Sequence, residues 1–187
     1  MIFQETTLEG AFIVDIERRE DERGFFARAF CQKEFAEHGL QPAVAQTNIG
    51  YSKRKGTLRG LHFQFLPYAE AKLVRVTRGA IFDVIVDLRP ESATYLQHVG
   101  VVLSADEHRA LYVPGRFAHG YQTLEDETEF CYQASEFFTP GTDSGLSALD
   151  PRLAVQWPLT VSSMSAKDEA WKRLDEVEPE LRRRMAQ

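Results

Sequence analysis

Cysteine is nearly absent from this 187-residue chain, with Cys31 and Cys131 the only two. That is too few for a disulfide framework or a thiolate metal cage. Positive charge is also short: 22 Lys and Arg face 28 Asp and Glu, for a net charge of -6. Broad binding of nucleic acid depends on basic surface that neutralises phosphates, so the balance argues against it. A small anionic ligand stays possible, because a few local Arg and Lys can hold a diphosphate at short range. The opening MIFQETTLEGAF has no basic segment followed by an apolar stretch and a cleavage site, so no secretory signal is read there. No apolar run approaches the length of a membrane span, and the cytoplasm is the expected location.

Several catalytic signatures are missing too. There is no G-x-G-x-x-G between a strand and a helix, no phosphate loop ending in Lys followed by Ser or Thr, and no serine in G-x-S-x-G. Nucleophilic hydrolysis and the common nucleotide folds therefore have no support. Internal repeats, low-complexity stretches and linkers are absent as well, and the length fits one compact domain over residues 1–187. Hydrophobic residues at 43%, with 13 Phe among them, provide for a sizeable core.

What the chain does have is strands. AFIVDIERR (11–19) and GFFARAF (24–30) alternate, QKEFAEHG forms a short helix stopped at Gly39, and residues 43–138 read as a near-continuous run of strands broken by turn-forming RG, RPES and PGR. This predicts an all-β barrel or sandwich with a few short peripheral helices. In AIFDVIVDL, Phe82, Val84, Val86 and Leu88 share an apolar face, while Ile81, Asp83, Ile85 and Asp87 share a mixed one. Only the tail turns helical: SAKDEAWKRLDEVE (165–178) places Asp168 three residues after Ser165, a capping-box spacing, and Pro179 is expected to end or kink the helix and leave the rest frayed.

In TLRGLHFQF strict alternation groups Leu58, Gly60, His62 and Gln64 on one face and Arg59, Leu61, Phe63 and Phe65 on the other. A histidine between glycine and glutamine suits a cavity lining, and suits equally a core histidine satisfied by a neighbour. Tyr132 in TEFCYQASEFF reads first as a packed aromatic. Lys72 at a strand start reads first as a solvated lysine, and Asp168 as a helix cap. PGRFAHGYQ (114–122) reads as a loop with Phe117 as an apolar anchor, followed by His119. Of the five histidines, His38 lies in a helix-like segment and His98 and His108 lie near turns. His62 and His119 alone, without an H-x-H pair, do not complete a first-row metal site. No metal or other cofactor is expected, with a metal-dependent barrel enzyme as a competing class.

DERGFF (21–26), QTNIGYS (46–52), LRGLHFQ (58–64), AKLVRV (71–76), DVIVDLR (83–89), PGRFAHGY (114–121), TEFCYQASEFF (128–138), DPRLAVQWP (150–158) and SAKD (165–168) together resemble the dTDP-4-dehydrorhamnose 3,5-epimerase family, in order and over nearly the whole chain. The resemblance implies a cupin-like jelly-roll barrel working without metal, as a homodimer whose N-terminal strands are exchanged. The implied reaction is epimerisation at C3, C5 or both of a nucleotide-linked 4-keto-6-deoxy-hexose, against which a non-catalytic sugar-nucleotide binding module is the competing reading.

By motif, His62 would be the base, Asp168 its orienting partner, Tyr132 the acid on the other side of the sugar and Lys72 the stabiliser of the enolate oxygen. His119 would line the same pocket. Arg23, Gln46, Asn48, Arg59 and Lys167 would hold the diphosphate and sugar, with Phe26, Arg28 and Asp143 in the same substrate-binding set and Phe138 stacking on the base. Arg28 stands where the family often has a glutamate, Phe138 where it often has tyrosine, and QTN where it often has QDN. These departures bear on the nucleotide, dTDP or CDP, rather than on the reaction. The implied roles also set a geometric condition, because strict alternation puts Arg59 opposite His62 unless Gly60 permits a bulge or Arg59 precedes regular pairing.

Overall fold

A computed structural model describes residues 1–186 of the chain. Its strands are β1 (Ile2–Glu5), β2 (Phe12–Asp15), β3 (Arg19–Asp21), β4 (Gly24–Phe26), β5 (Gln46–Ser52), β6 (Leu58–Gln64), β7 (Lys72–Arg78), β8 (Ala80–Asp87), β9 (His98–Ser104), β10 (Ala110–Val113), β11 (Phe117–Thr123), β12 (Thr128–Ala134) and β13 (Asp143–Gly145); helix α1 (Gln32–Glu37) follows β4, and α2 (Ala166–Glu169) and α3 (Leu174–Met185) follow the last strand. The sequence reading finds most of these. It misses β1, β3 and β13, which are short and carry no strong alternation.

Two sheets form the barrel, one in the order β1-β2-β10-β7-β12-β5 and one in the order β13-β6-β11-β8-β9, while β3 and β4 form a separate hairpin. From β5 onward the chain changes sheet at every step except β8 to β9. This is the cupin-like jelly roll expected from the motifs, and it places sequence neighbours on facing walls. His62 on β6 and Lys72 on β7 are separated in this way.

Apolar residues on both faces of the smaller sheet are buried. Ile81, Ile85, Val74, Leu111 and Phe130 pack between the sheets, whereas Leu58, Leu61, Phe63, Val84 and Val86 pack outward beneath Leu174, Leu181 and Met185 of α3. The mixed face of β8 is therefore the barrel interior, where Asp83 and Asp87 have no exposed surface. PGRFAHGYQ is less of a loop than its turn residues suggest. β11 begins at Phe117 and is buried throughout, because it lies between β6 and β8.

The tail departs from the single helix expected over 165–178. It breaks after Glu169 and restarts at Leu174, where the backbone N–H donates to Asp150 Oδ2 at 2.6 Å. Pro179 lies inside α3 instead of ending it. A proline removes one helical hydrogen bond, but buried Leu174, Leu181 and Met185 anchor both sides of it, and tertiary burial outweighs local propensity. For the same reason residues 180–185 are helical. Gly39 behaves as expected, taking a φ of +71° just past α1.

The decisive local feature lies between β6 and β11. His119 pairs with His62, but Tyr121 pairs with Arg59, so Gly60 and Leu61 together oppose the single residue Gly120. This bulge reverses the alternation, as the motif roles required. Leu58, Leu61, Phe63 and Phe65 all join the outer core, and Arg59 and His62 both line the interior cavity. Gly60 has a φ of +112°, and a Cβ there would lie 2.6 Å from Gly120 Cα and 2.7 Å from His119 O. Gly60→Ala is therefore expected to cost roughly 2–4 kcal/mol, measured by urea unfolding; an unchanged midpoint would show that the bulge tolerates a side chain.

Candidate active site

Between the sheets opens a cavity of about 360 Å³, lined by His62, His119, Lys72, Tyr132, Arg59 and Asn48 among others. Its two walls differ in origin. The β6 and β11 residues His62 and His119 come from one sheet, and the β7, β12 and β5 residues Lys72, Tyr132 and Asn48 come from the other.

His62 Nε2 is hydrogen-bonded to Asp168 Oδ1. The carboxylate is 4% exposed and the imidazole 43%, so the ring faces the cavity from a buried anchor. Asp168 is also at the capping position: its N–H donates to Ser165 Oγ at 3.1 Å, and Ser165 Oγ donates to its Oδ2 at 2.9 Å. Cap and orienting contact, read as rivals in the sequence, use different atoms of one residue. Withdrawal from water pushes the His62 pKa below its ordinary value; Asp168 opposes this, while Lys72 and the neighbouring His119 reinforce it. At neutral pH the imidazole is thus biased toward the neutral form that a general base requires.

Lys72 is not solvated, as its place at a strand start suggested, but buried. Its ammonium lies 2.9 Å from Glu70 Oε1 and 5.9 Å from the Tyr132 ring centroid. Tyr132 stacks on Phe130 with 6.2 Å between centroids and sits directly across from Asn48 in the β12–β5 pairing. Burial first, and then the Glu70 charge, raise its phenol pKa above the usual value, with Asn48 pulling the other way. It stays a protonated acid.

A second histidine–aspartate pair lies beside the first. His119 is the cross-strand partner of His62, and its Nε2 lies 2.6 Å from Asp83 Oδ1. Asp83 was visible in the sequence only as an acid on a mixed face; its burial amid Ile81 and Ile85 was the available signal. Tyr121 also lines the cavity, and burial pushes its phenol up to about 12. Among the described residues no group of three His, Cys, Asp or Glu converges as a metal site would require.

The remaining candidates are not on the cavity wall. Gln46 Oε1 accepts the Phe138 N–H at 2.7 Å, which fixes the loop that presents the exposed Phe138 ring. Lys167 and Asp143 form a 2.8 Å ion pair. Lys167 also lies 5.5 Å from the Trp171 ring, whose edge-to-face neighbour is His62 at 6.3 Å. Trp171 was not singled out in the sequence, nor was Glu70. Trp171 follows α2, and its indole packs where Gly145 leaves room. Arg23, Phe26 and Arg28 lie apart from these groups. Arg23 is 85% exposed and paired with Asp21, Arg28 is paired with Glu34, and Phe26 and Arg28 line a separate groove.

Comparison with known proteins agrees with this geometry. The sequence model of a family described as dTDP-4-dehydrorhamnose 3,5-epimerase matches residues 5–176. A protein of that name from Methanothermobacter thermautotrophicus is 44% identical over 177 residues, covering 93% of this chain and 95% of the relative. The crystal structure of the Bacillus anthracis enzyme of that name, with TDP and pyrophosphate bound, has a TM-score of 0.89 at 42% identity and covers 92% of this chain and 99% of its own. A dTDP-6-deoxy-D-glucose-3,5-epimerase from Legionella pneumophila, in complex with dTDP-4-keto-L-rhamnose, has a TM-score of 0.89 at 38% identity, with 96% of each chain covered. With the jelly roll, the cavity and these matches in agreement over almost its full length, the chain belongs to the dTDP-4-dehydrorhamnose 3,5-epimerase family.

Proposed function

We propose that this protein inverts the carbon centres flanking the C4 ketone of a dTDP-linked 4-keto-6-deoxy-hexose. One observation carries the reading: His62 and Tyr132 enter a single cavity from opposite sheets, as inversion demands of a base and an acid. Neutral His62 takes the proton beside the ketone, and the electron pair moves onto the C4 oxygen. A cation aimed at that oxygen lowers the barrier, and Lys72 stands on the wall shared with Tyr132. Tyr132 then protonates the same carbon from the other face. Proton exchange with solvent restores the imidazole and the phenol. The dTDP assignment rests on the names and ligands of the relatives. We read the chain as one domain, acting in the cytoplasm with Cys31 and Cys131 unpaired.

A homodimer belongs to the same proposal. The β3–β4 hairpin pairs with no other described strand, Phe25 and Phe26 on it are exposed, and Arg23 stands off its own cavity. Exchange of this arm with a second copy would bring Arg23, Phe26 and Arg28 to the partner's nucleotide.

In heavy water, with dTDP- and CDP-linked 4-keto sugars compared by NMR, wild type is expected to label the ring and to favour dTDP. His62→Ala is expected to slow labelling by roughly 10²- to 10⁴-fold, while Tyr132→Phe should label without inverting; a His62→Ala protein that exchanges as fast as wild type rules out the proposed base. The pH profile of kcat/KM tests the electrostatics. Because His62 acts when neutral and its pKa is depressed, activity should persist to a pH below the ordinary imidazole range and fall only as His62 becomes protonated. Asp168→Asn removes an influence that favours the charged ring, so this acid limb should move to still lower pH; a move upward would contradict the assignment. For the exchanged arm, a heterodimer with His62→Ala on one subunit and Arg23→Ala on the other should recover one working site in two, whereas unexchanged arms leave both sites defective.

A further inference from the structure

Lys72 does not meet the cavity alone. Its ammonium is held by Glu70 at 2.9 Å, both side chains are largely buried at 10% and 14% exposure, and Glu70 itself does not line the cavity. The second oxygen of Glu70 faces Gln64 Nε2 at 3.4 Å. Gln64 is itself fixed, its Oε1 accepting the Thr139 N–H at 2.8 Å and its Nε2 donating to Phe137 O at 3.1 Å. A buried carboxylate on an anchored glutamine, reaching the one lysine in the cavity, is more than a surface ion pair.

We propose that Glu70 is a positioning residue for the reaction: it fixes the Lys72 ammonium on the cavity wall and sets one negative charge behind Lys72 and Tyr132. This rests on the epimerase reading of the same cavity. An ammonium on a four-carbon stem has rotatable donors and little intrinsic direction. Tying one donor to Glu70 leaves the others to face an oxygen in the cavity, with the carboxylate on the far side. Removing one member of a buried pair leaves the other uncompensated, so the cost falls on the group next to the chemistry. The same charge also helps Tyr132 keep its proton, second to burial. The groups facing this pair are Tyr132 from β12 and Asn48 from β5 on the sheet of Lys72, with Gln64 and His62 from β6 and His119 from β11 on the opposing sheet.

The test uses the full-length protein and a dTDP-linked 4-keto-6-deoxy sugar, with deuterium exchange and steady-state kinetics from acid to alkaline pH on wild type, Glu70→Gln and Glu70→Asp. Glu70→Gln keeps the shape and removes the charge. It is expected to lower kcat by about 10-fold or more with KM within about twofold. Loss of a nearby negative charge makes a phenol easier to deprotonate. Tyr132 works as an acid, so activity ends as pH rises through its pKa, and the alkaline limb should shift downward by at least about half a pH unit. Glu70→Asp retains the charge and should lose kcat through the displaced ammonium while keeping the wild-type limb. Wild-type kinetics in Glu70→Gln, a loss with an unmoved limb, a loss confined to KM, or the same limb shift in Glu70→Asp would each overturn the role of Glu70 while leaving the epimerase reading intact. A wild-type protein that exchanges no deuterium removes that reading, and this proposal with it.

Discussion

The site depends on two residues of β6 standing against one of β11. Without the Gly60–Leu61 bulge, a regular strand would send Arg59 and His62 to opposite faces, and one of them would be lost to the outer core. With it, the strand satisfies two demands at once: four apolar side chains seal the sheet beneath α3, and the polar ones turn inward. The left-handed backbone at Gly60, and the lack of room for a Cβ on either strand, which would come within 2.6 Å of Gly120 Cα or 2.7 Å of Arg59 O, explain why glycines occupy both sides of the crossing.

Around that constraint, one physical cause produces two opposite titration shifts. Removal from water disfavours whichever form is charged. It lowers the imidazole of His62 and raises the phenol of Tyr132, so the proposed base and the proposed acid are both held in their neutral forms. The nearby carboxylates act in opposite senses on the two. Asp168 works against the desolvation of His62, while Glu70 adds to the effect of burial on Tyr132. Because consecutive strands alternate between sheets, these environments are assembled on facing walls from segments close in sequence, β6 with β7 and β11 with β12.

Much of this was legible in the residues, and the failures have physical reasons. Alternation and turn residues located the long strands, and the motif set identified the jelly roll. Local pattern alone could not weigh burial that arrives from elsewhere. Lys72 looked solvated because its burial comes from β10 and β12, which flank β7 from distant parts of the sequence. Pro179 looked like a terminator because the buried anchors Leu181 and Met185 lie beyond it. Phe117 and Ala118 looked like loop because the strand that contains them is defined by its neighbours β6 and β8. Asp168 offered two readings, and only coordinates could show that its two oxygens serve both. The hairpin carrying Arg23 and Phe26 is the reverse case: the motif is plain in the sequence, yet a single copy leaves it away from the cavity.

The His62–Asp168 contact spans 106 positions of sequence, and its acidic member sits on a four-residue helix laid down after the last barrel strand. A ribosome-tethered polypeptide that has finished its sheets therefore still lacks half of its proposed proton-abstracting couple. On the proposed mechanism, catalytic competence waits for α2 to dock, and a protease nick in that joint would disarm the proposed base without cutting any barrel strand.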